Sequence, residues 1–218
     1  MSSSNTFPQV GIVGTGAMGR GIAQIAAQSG STVHLYDTNP EAAAAAKEQI
    51  AQQWQRLVEK GRIEEAKATQ WTALLKTCDA LDGLAACDLV IEAIVERLDV
   101  KRALFAQLEA LVAPTAVLAT NTSSLSVTAI AAQLKARERF AGYHFFNPVP
   151  LMKVVEVIAG LKTNAATCER LTQYAREMGH TPVTAQDTPG FIVNHAGRGY
   201  NTEALRILNE GVTDIATI

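Results

Sequence analysis

The chain has 218 residues, of which 48% are hydrophobic and 18% charged. That balance excludes a disordered tail or a fibrous repeat, and the length is enough to bury a core without disulfide staples. Nineteen basic residues against twenty-one acidic ones leave a net charge of −2, so the basic excess of a phosphate-neutralising nucleic-acid binder is missing. At about 150 residues per domain, the length corresponds to roughly one and a half domains.

Cys78, Cys87 and Cys168 show neither metal-ligand nor CxxC spacing, so they read as reduced structural thiols and no metal site is expected. The opening Met-Ser-Ser-Ser-Asn-Thr has no basic region followed by an apolar one, which speaks against a signal peptide. No apolar run approaches the roughly 18 residues that span a bilayer. A soluble, cytoplasmic protein with neither membrane nor nucleic-acid partners is the expectation.

In chain order, short apolar runs alternate with longer helical stretches, the rhythm of a parallel α/β sheet. Strands are expected over residues 10–13, 33–36, 89–95, 117–120, 140–146, 154–158 and 182–185. An alanine-rich helix fills residues 17–29, closed by Gly30. Residues 40–77 are too many for a simple crossover. Ile50, Trp54, Leu57 and Val58 sit at helical spacing, Gly61 supplies a stop, and a second helix starts at Glu64, so a helical hairpin is expected. The turn residues Asp187-Thr188-Pro189-Gly190 end the α/β rhythm. A helix over about 191–210 follows, with an apolar stripe of Val193, Ala196, Tyr200, Ala204, Ile207 and Leu208. Gly211 stops it, and Thr213 reads as the N-cap of another helix.

The first strand runs into Gly14-Thr15-Gly16-Ala17-Met18-Gly19 and then a helix. In that context GxGxxG is a dinucleotide fingerprint. Gly14 permits the tight turn, Gly16 the approach of a pyrophosphate, and Gly19 close helix packing, with the helix N-terminus offering free N–H groups to phosphate. Asp37 ends the second strand, where a carboxylate accepts both ribose hydroxyls and repels a 2′-phosphate, favouring NAD over NADP. The plainer alternative is a loop aspartate capping its own turn.

Polar residues also follow the later strands, where ligands of open α/β sheets bind. Residues 120–124 read Thr-Asn-Thr-Ser-Ser and residues 143–148 Tyr-His-Phe-Phe-Asn-Pro. Glu156 stands inside the apolar run Val154-Val155-Glu156-Val157-Ile158, where a carboxylate is costly unless paired. Paired with His144, it would fix the tautomer of an imidazole able to take a proton from an alcohol. The competing reading is a core histidine and a glutamate facing solvent on an edge strand.

The blocks GxGxMG, Asp37, Ile91-Glu92-Ala93-Ile94-Val95-Glu96, Asn121-Thr122-Ser123-Ser124-Leu125, His144-Phe145-Phe146-Asn147-Pro148 and Asp187-Thr188-Pro189-Gly190-Phe191-Ile192-Val193-Asn194 occur in this order. Together they resemble the L-3-hydroxyacyl-CoA dehydrogenases over essentially the whole chain. The resemblance implies an α/β fold of Rossmann type, with a doubly wound, mostly parallel sheet, a helical hairpin insertion and the start of an all-α C-terminal domain. The division would be residues 1–188 for NAD binding and 189–218 for the truncated start of a substrate and dimerisation domain.

By resemblance, His144 is the catalytic base, Glu156 the acid paired with it, Ser123 the serine that hydrogen-bonds the 3-hydroxyl, and Asn194 an asparagine beside the reacting groups. Glu96, Lys101 and Asn147 match contacts on the ribose and nicotinamide side of NAD, and Ala17, Met18, Asn121 and Ser123 belong to the same cofactor set. Without the resemblance, Glu96 and Lys101 would read as a surface pair at a helix start. Lys60 matches a coenzyme A contact, and Gln53 stands where some relatives use serine; as plain sequence Lys60 is a solvated lysine favoured by a helix C-terminus. His34, His180 and His195 read as ordinary strand or surface histidines.

The implied reaction is NAD-dependent oxidation of an (S)-3-hydroxyacyl-CoA to the 3-oxoacyl-CoA. Dehydrogenases of the 3-hydroxyisobutyrate and 6-phosphogluconate type open similarly but use a lysine base on a second-domain helix. A non-catalytic NAD-binding module is the other alternative. The resemblance also implies a homodimer for the full-length protein. An apolar stripe without its cover should find another surface, so a non-native or exchanged packing of the last helix is expected.

Overall fold

The computed structural model describes residues 5–218; residues 1–4, which open the stretch read above as no signal peptide, lie outside the described residues. Its strands are β1 (Gln9–Val13), β2 (Thr32–Tyr36), β3 (Leu75–Cys78), β4 (Leu89–Glu92), β5 (Val117–Thr120), β6 (Phe140–Phe145), β7 (Val154–Ala159) and β8 (Thr181–Gln186). The α-helices are α1 (Ala17–Gln28), α2 (Pro40–Glu59), α3 (Glu65–Leu74), α4 (Leu98–Leu111), α5 (Val127–Ile130), α6 (Ala165–Glu177) and α7 (Val193–Asn209). The strands form one eight-stranded sheet in the order β3-β2-β1-β4-β5-β6-β7-β8. Neighbours are parallel except for the antiparallel pair β6–β7. This is the α/β, doubly wound, mostly parallel sheet that the sequence leads one to expect.

Alternation along the strands divides the core between two faces. In β4, Leu89 and Ile91 join Ile22, Ile25 and Trp54 on one face. Val90, between them, joins Phe105, Leu118 and Phe140 on the other. Because helices cover both faces, the central strands are apolar throughout rather than alternating. The chain reverses its direction of winding at β1, which lies between β2 and β4. The crevice beyond the carboxyl ends of β1 and β4 is therefore where such a sheet takes a ligand.

The helical hairpin forms as expected. Asn39 caps α2 by accepting from the Glu41 N–H at 3.1 Å, with Pro40 at the first turn. Ile50 and Trp54 face inward, and Trp54 meets Trp71 of α3 with ring centroids 5.6 Å apart. After α3 the chain adds the edge strand β3, which the sequence reading absorbed into the hairpin. Of its residues, Leu75 alone is buried, so it lacks an apolar pattern.

Other features near the site and at the chain end also differ from expectation. β4 stops at Glu92 rather than Val95, because Glu92 turns its side chain back to accept the Ile94 N–H at 2.7 Å. α7 begins at Val193 rather than Phe191, which adopts φ 48° and cannot be helical. No helix starts at Thr213. The Asp214 carboxylate instead accepts from the Thr217 N–H and hydroxyl, closing a turn. Nor does α7 find cover within the chain: none of its residues is buried, and Tyr200 is 83% exposed. Among the described residues no helix is long and apolar enough to cross a membrane.

Candidate active site

The glycine loop leaves β1 with Gly14 at φ 91°, where a Cβ would stand 2.6 Å from the Ala93 carbonyl oxygen. Gly19 sits so close beneath the loop that a Cβ would meet the Gly14 oxygen, so α1 can approach β1 only with glycine there. At Gly16, by contrast, a Cβ would meet nothing within 4 Å. The backbone there faces open space, at the start of a helix whose first turn carries no acidic residue. Ala17 is the first residue of that helix. This arrangement fits a dinucleotide pyrophosphate.

Asp37 directly follows β2 and makes the turn-capping contacts of the plainer reading. Its Oδ2 accepts from the Thr15 N–H at 2.8 Å and the Thr15 hydroxyl at 2.9 Å, while Oδ1 accepts from the Asn39 N–H at 3.2 Å. Partial burial pushes its pKa up, but the hydrogen bonds from Thr15 and Asn39 outweigh that and hold it below the ordinary aspartate value. The carboxylate is thus charged and oriented on the rim of a pocket of about 420 Å³ lined by Gly14, Tyr36, Leu81, Ile94 and Leu104. Apolar walls with an acid at the mouth suit the adenosine end of a dinucleotide.

A second cleft, of about 430 Å³, lies along the same strand ends. Met18, Glu96, Lys101, Asn121, Ser123, His144, Asn147 and Asn194 all line it, so one cleft gathers eight of the residues singled out from sequence. They arrive from α1, from the loops after β4, β5 and β6, and from the starts of α4 and α7. His144 comes from β6 itself.

His144 and Glu156 face each other directly across the antiparallel β6–β7 pair. That register makes them a cross-strand side-chain pair. His144 Nδ1 lies 2.7 Å from Glu156 Oε2, with Glu156 fully buried and His144 nearly so. An ionised carboxylate can only accept, so Nδ1 carries the proton and Nε2 is left as the basic nitrogen. The other oxygen, Oε1, accepts from the Ile192 and Val193 N–H groups, both at 2.9 Å. Phe191, in its left-handed conformation, packs 5.8 Å from the imidazole. The start of α7 is therefore latched onto the partner of His144.

Lys101 and Glu96 are not the surface pair their spacing alone suggests. Lys101 is 1% exposed, with Nζ 2.5 Å from Glu92 Oε1 and 3.2 Å from Glu96 Oε2. Glu92, which sequence reasoning did not single out, is fully buried and also accepts from the Thr120 hydroxyl at 2.7 Å. The signal was available: like Glu156, Glu92 is a carboxylate in an apolar strand and needs a partner. Glu96 gathers the loop after β5, accepting from the Thr122 hydroxyl, the Ser123 N–H at 3.2 Å and the Ser124 hydroxyl at 3.1 Å. Burial pushes its pKa up, yet Thr122 and Lys101 hold it below the ordinary glutamate value. Asn121 Oδ1 accepts from the Phe145 N–H at 2.9 Å, and Asn194 Nδ2 reaches the Ser123 carbonyl at 3.4 Å.

The remaining candidates lie elsewhere. Gln53 and Lys60 are exposed on and just after α2 and line neither cleft. His34 sits on β2 against Gln9, and His195 is exposed. His180 departs from a surface reading: it is buried, with Nδ1 3.2 Å from the Met178 carbonyl and Nε2 3.1 Å from that of Val149. The cysteines are free, and burial pushes the Cys87 thiol up to about 12. No group of three or more His, Cys, Asp or Glu side chains that could hold a metal occurs among the described residues.

Comparison with known proteins identifies the family. Residues 9–188 match the model of the 3-hydroxyacyl-CoA dehydrogenase NAD binding domain. The chain is 47% identical to the 3-hydroxyadipyl-CoA dehydrogenase of Escherichia coli K12, over 93% of this chain and 43% of that protein. It is 41% identical to the human mitochondrial hydroxyacyl-coenzyme A dehydrogenase, over 93% of this chain and 66% of that one. Among solved structures, the (S)-3-hydroxybutyryl-CoA dehydrogenase of Ralstonia eutropha superposes with a TM-score of 0.93 at 37% identity, covering 97% of this chain and 75% of that one. The chain thus spans less than half of the Escherichia coli relative and about two thirds of the human one. It belongs to the 3-hydroxyacyl-CoA dehydrogenase family and carries that family's NAD binding domain.

Proposed function

We propose that this chain carries the catalytic half of an NAD-dependent enzyme that oxidises an (S)-3-hydroxyacyl-CoA to the 3-oxoacyl-CoA. The observation that carries the reading is the buried His144–Glu156 pair opening onto the same cleft as Met18, Glu96 and Asn121. Bound NAD supplies the hydride acceptor. His144 Nε2 takes the hydroxyl proton, and Glu156, ionised and held by two backbone N–H groups, stabilises the imidazolium that results. Ser123 orients the substrate oxygen, and Asn194 stands beside it. Asn147 and Glu96 hold the nicotinamide side, and the glycine loop and Asp37 hold the pyrophosphate and adenosine ribose.

Gln53 and Lys60 fall to the coenzyme A moiety, where an exposed lysine suits phosphate. Residues 1–188 form the NAD-binding unit, and 189–218 belong to a helical unit that shapes the acyl site. A second copy packs on α7, whose apolar side chains lie uncovered, and the protein works in the cytoplasm.

The test is isotopic. With NADH deuterated at the transferable position and acetoacetyl-CoA as substrate, mass spectrometry should find deuterium at C3 of the hydroxyacyl product. NADH binding without any transfer would instead favour the non-catalytic NAD-binding module.

A further inference from the structure

The wall of the catalytic cleft holds an unbalanced set of charges. Lys101 lies between Glu92 and Glu96, 2.5 Å and 3.2 Å from their oxygens. One ammonium and two carboxylates leave one surplus negative charge. None of the three can easily turn away. Glu92 is fixed by the Ile94 N–H at 2.7 Å and the Thr120 hydroxyl at 2.7 Å, and Glu96 by Thr122, Ser123 and Ser124. Glu92 and Lys101 are buried, so solvent ions screen them little. Glu96 and Lys101 line the cleft that contains His144.

The two redox forms of the nicotinamide share their size and their amide group and differ chiefly in one positive charge on the ring. Shape and hydrogen bonding therefore discriminate poorly between them, whereas a fixed charge discriminates directly. We infer that the Glu92–Lys101–Glu96 cluster sets the preference of the cleft for the oxidised, cationic nicotinamide over the reduced, neutral one. The inference rests on NAD occupying this cleft with its nicotinamide towards His144. Lys101 serves here as a partial neutraliser: paired with Glu92, it leaves the charge of Glu96 uncompensated. Glu156, across the cleft, adds to the field in the same sense, but its charge is taken up by His144 and the Ile192 and Val193 amides.

Calorimetric titration of the full chain with NAD+, NADH and ADP tests this, because ADP lacks the nicotinamide and its ribose and reports general damage. Glu96→Gln and Glu92→Gln each remove one negative charge. Each should raise the ratio Kd(NAD+)/Kd(NADH) by about tenfold, as expected for a unit charge several ångströms away in a medium of intermediate dielectric, while ADP affinity stays within about twofold. Thr120→Val removes a hydrogen bond from Glu92 but no charge and should leave the ratio unmoved. Glu96 is partly exposed, so its variant keeps the test alive if Glu92→Gln does not fold. An unchanged ratio in Glu96→Gln, an equal shift in Thr120→Val, or an equal weakening of all three ligands would overturn the inference. Wild-type chain that bound ADP but neither nicotinamide form would overturn the placement on which it rests.

Discussion

Glu156 makes three hydrogen bonds with two buried oxygens, to His144 and to the Ile192 and Val193 amides. Glu156→Ala therefore strands an imidazole nitrogen and two backbone donors. The expected loss is about 2–5 kcal/mol of unfolding free energy, measured in urea, against less than about 0.5 for the exposed Glu59→Ala. At the other end of the proposed site, Asp37 is assigned to the adenosine ribose, where its charge would oppose a 2′-phosphate. Asp37→Ser should improve NADP affinity relative to NAD by about tenfold, read by titration with both; an unaltered preference would remove Asp37 from the ribose site. Single residues were legible in the sequence where their chemistry conflicted with their surroundings. Glu156 inside an apolar strand was conspicuous, and His144 became so through it. Glu92 carried the same conflict within the strand expected over residues 89–95 but had no partner in view. Its burial depends on Lys101 folding back from α4, which strand patterning cannot show.

Among the elements, the junction after β8 holds the most specific contacts. Asp187 Oδ1 accepts from the Val127 N–H at 2.9 Å, and Oδ2 from the Thr128 N–H at 2.8 Å and the Ser126 hydroxyl at 2.7 Å. Partial burial pushes its pKa up, but these bonds prevail and hold it below the ordinary aspartate value. A depressed pKa gives stability that is fully present above the unfolded value and is lost as pH falls through the folded one. The difference in melting temperature between wild type and Asp187→Ala should thus be constant from about pH 7 to pH 5 and shrink as the pH falls below the ordinary aspartate range. A difference that persisted at low pH would show that shape rather than charge makes this contact. The long apolar strands and capped helices were readable in advance because their patterns are local. β3 was not, since its place is set by pairing with β2 and it buries little. The end of the chain misled for a related reason: Thr213 offers a helix cap, but so short a segment cannot repay nucleation without packing.

For the whole molecule, the sheet and its two flanking cores form the stable body, and α7 stands outside it with no buried residue. Local stability follows burial. Hydrogen exchange should therefore be slow at Ile192 and Val193, whose amides bond the buried Glu156, and fast along residues 200–209; uniform protection of α7 would show that something covers it. The two clefts, His144 and the loop after β5 meet only through the order in which the strands are laid down, which brings β1, β4, β5 and β6 side by side. Their joint action is tested most directly by the rate of acetoacetyl-CoA-dependent NADH oxidation in His144→Gln and wild type, with NADH binding measured on both. The expected result is a loss of about 10²- to 10⁴-fold in turnover with NADH affinity retained; equal turnover in the two proteins would contradict the role assigned to His144 and the mechanism built on it.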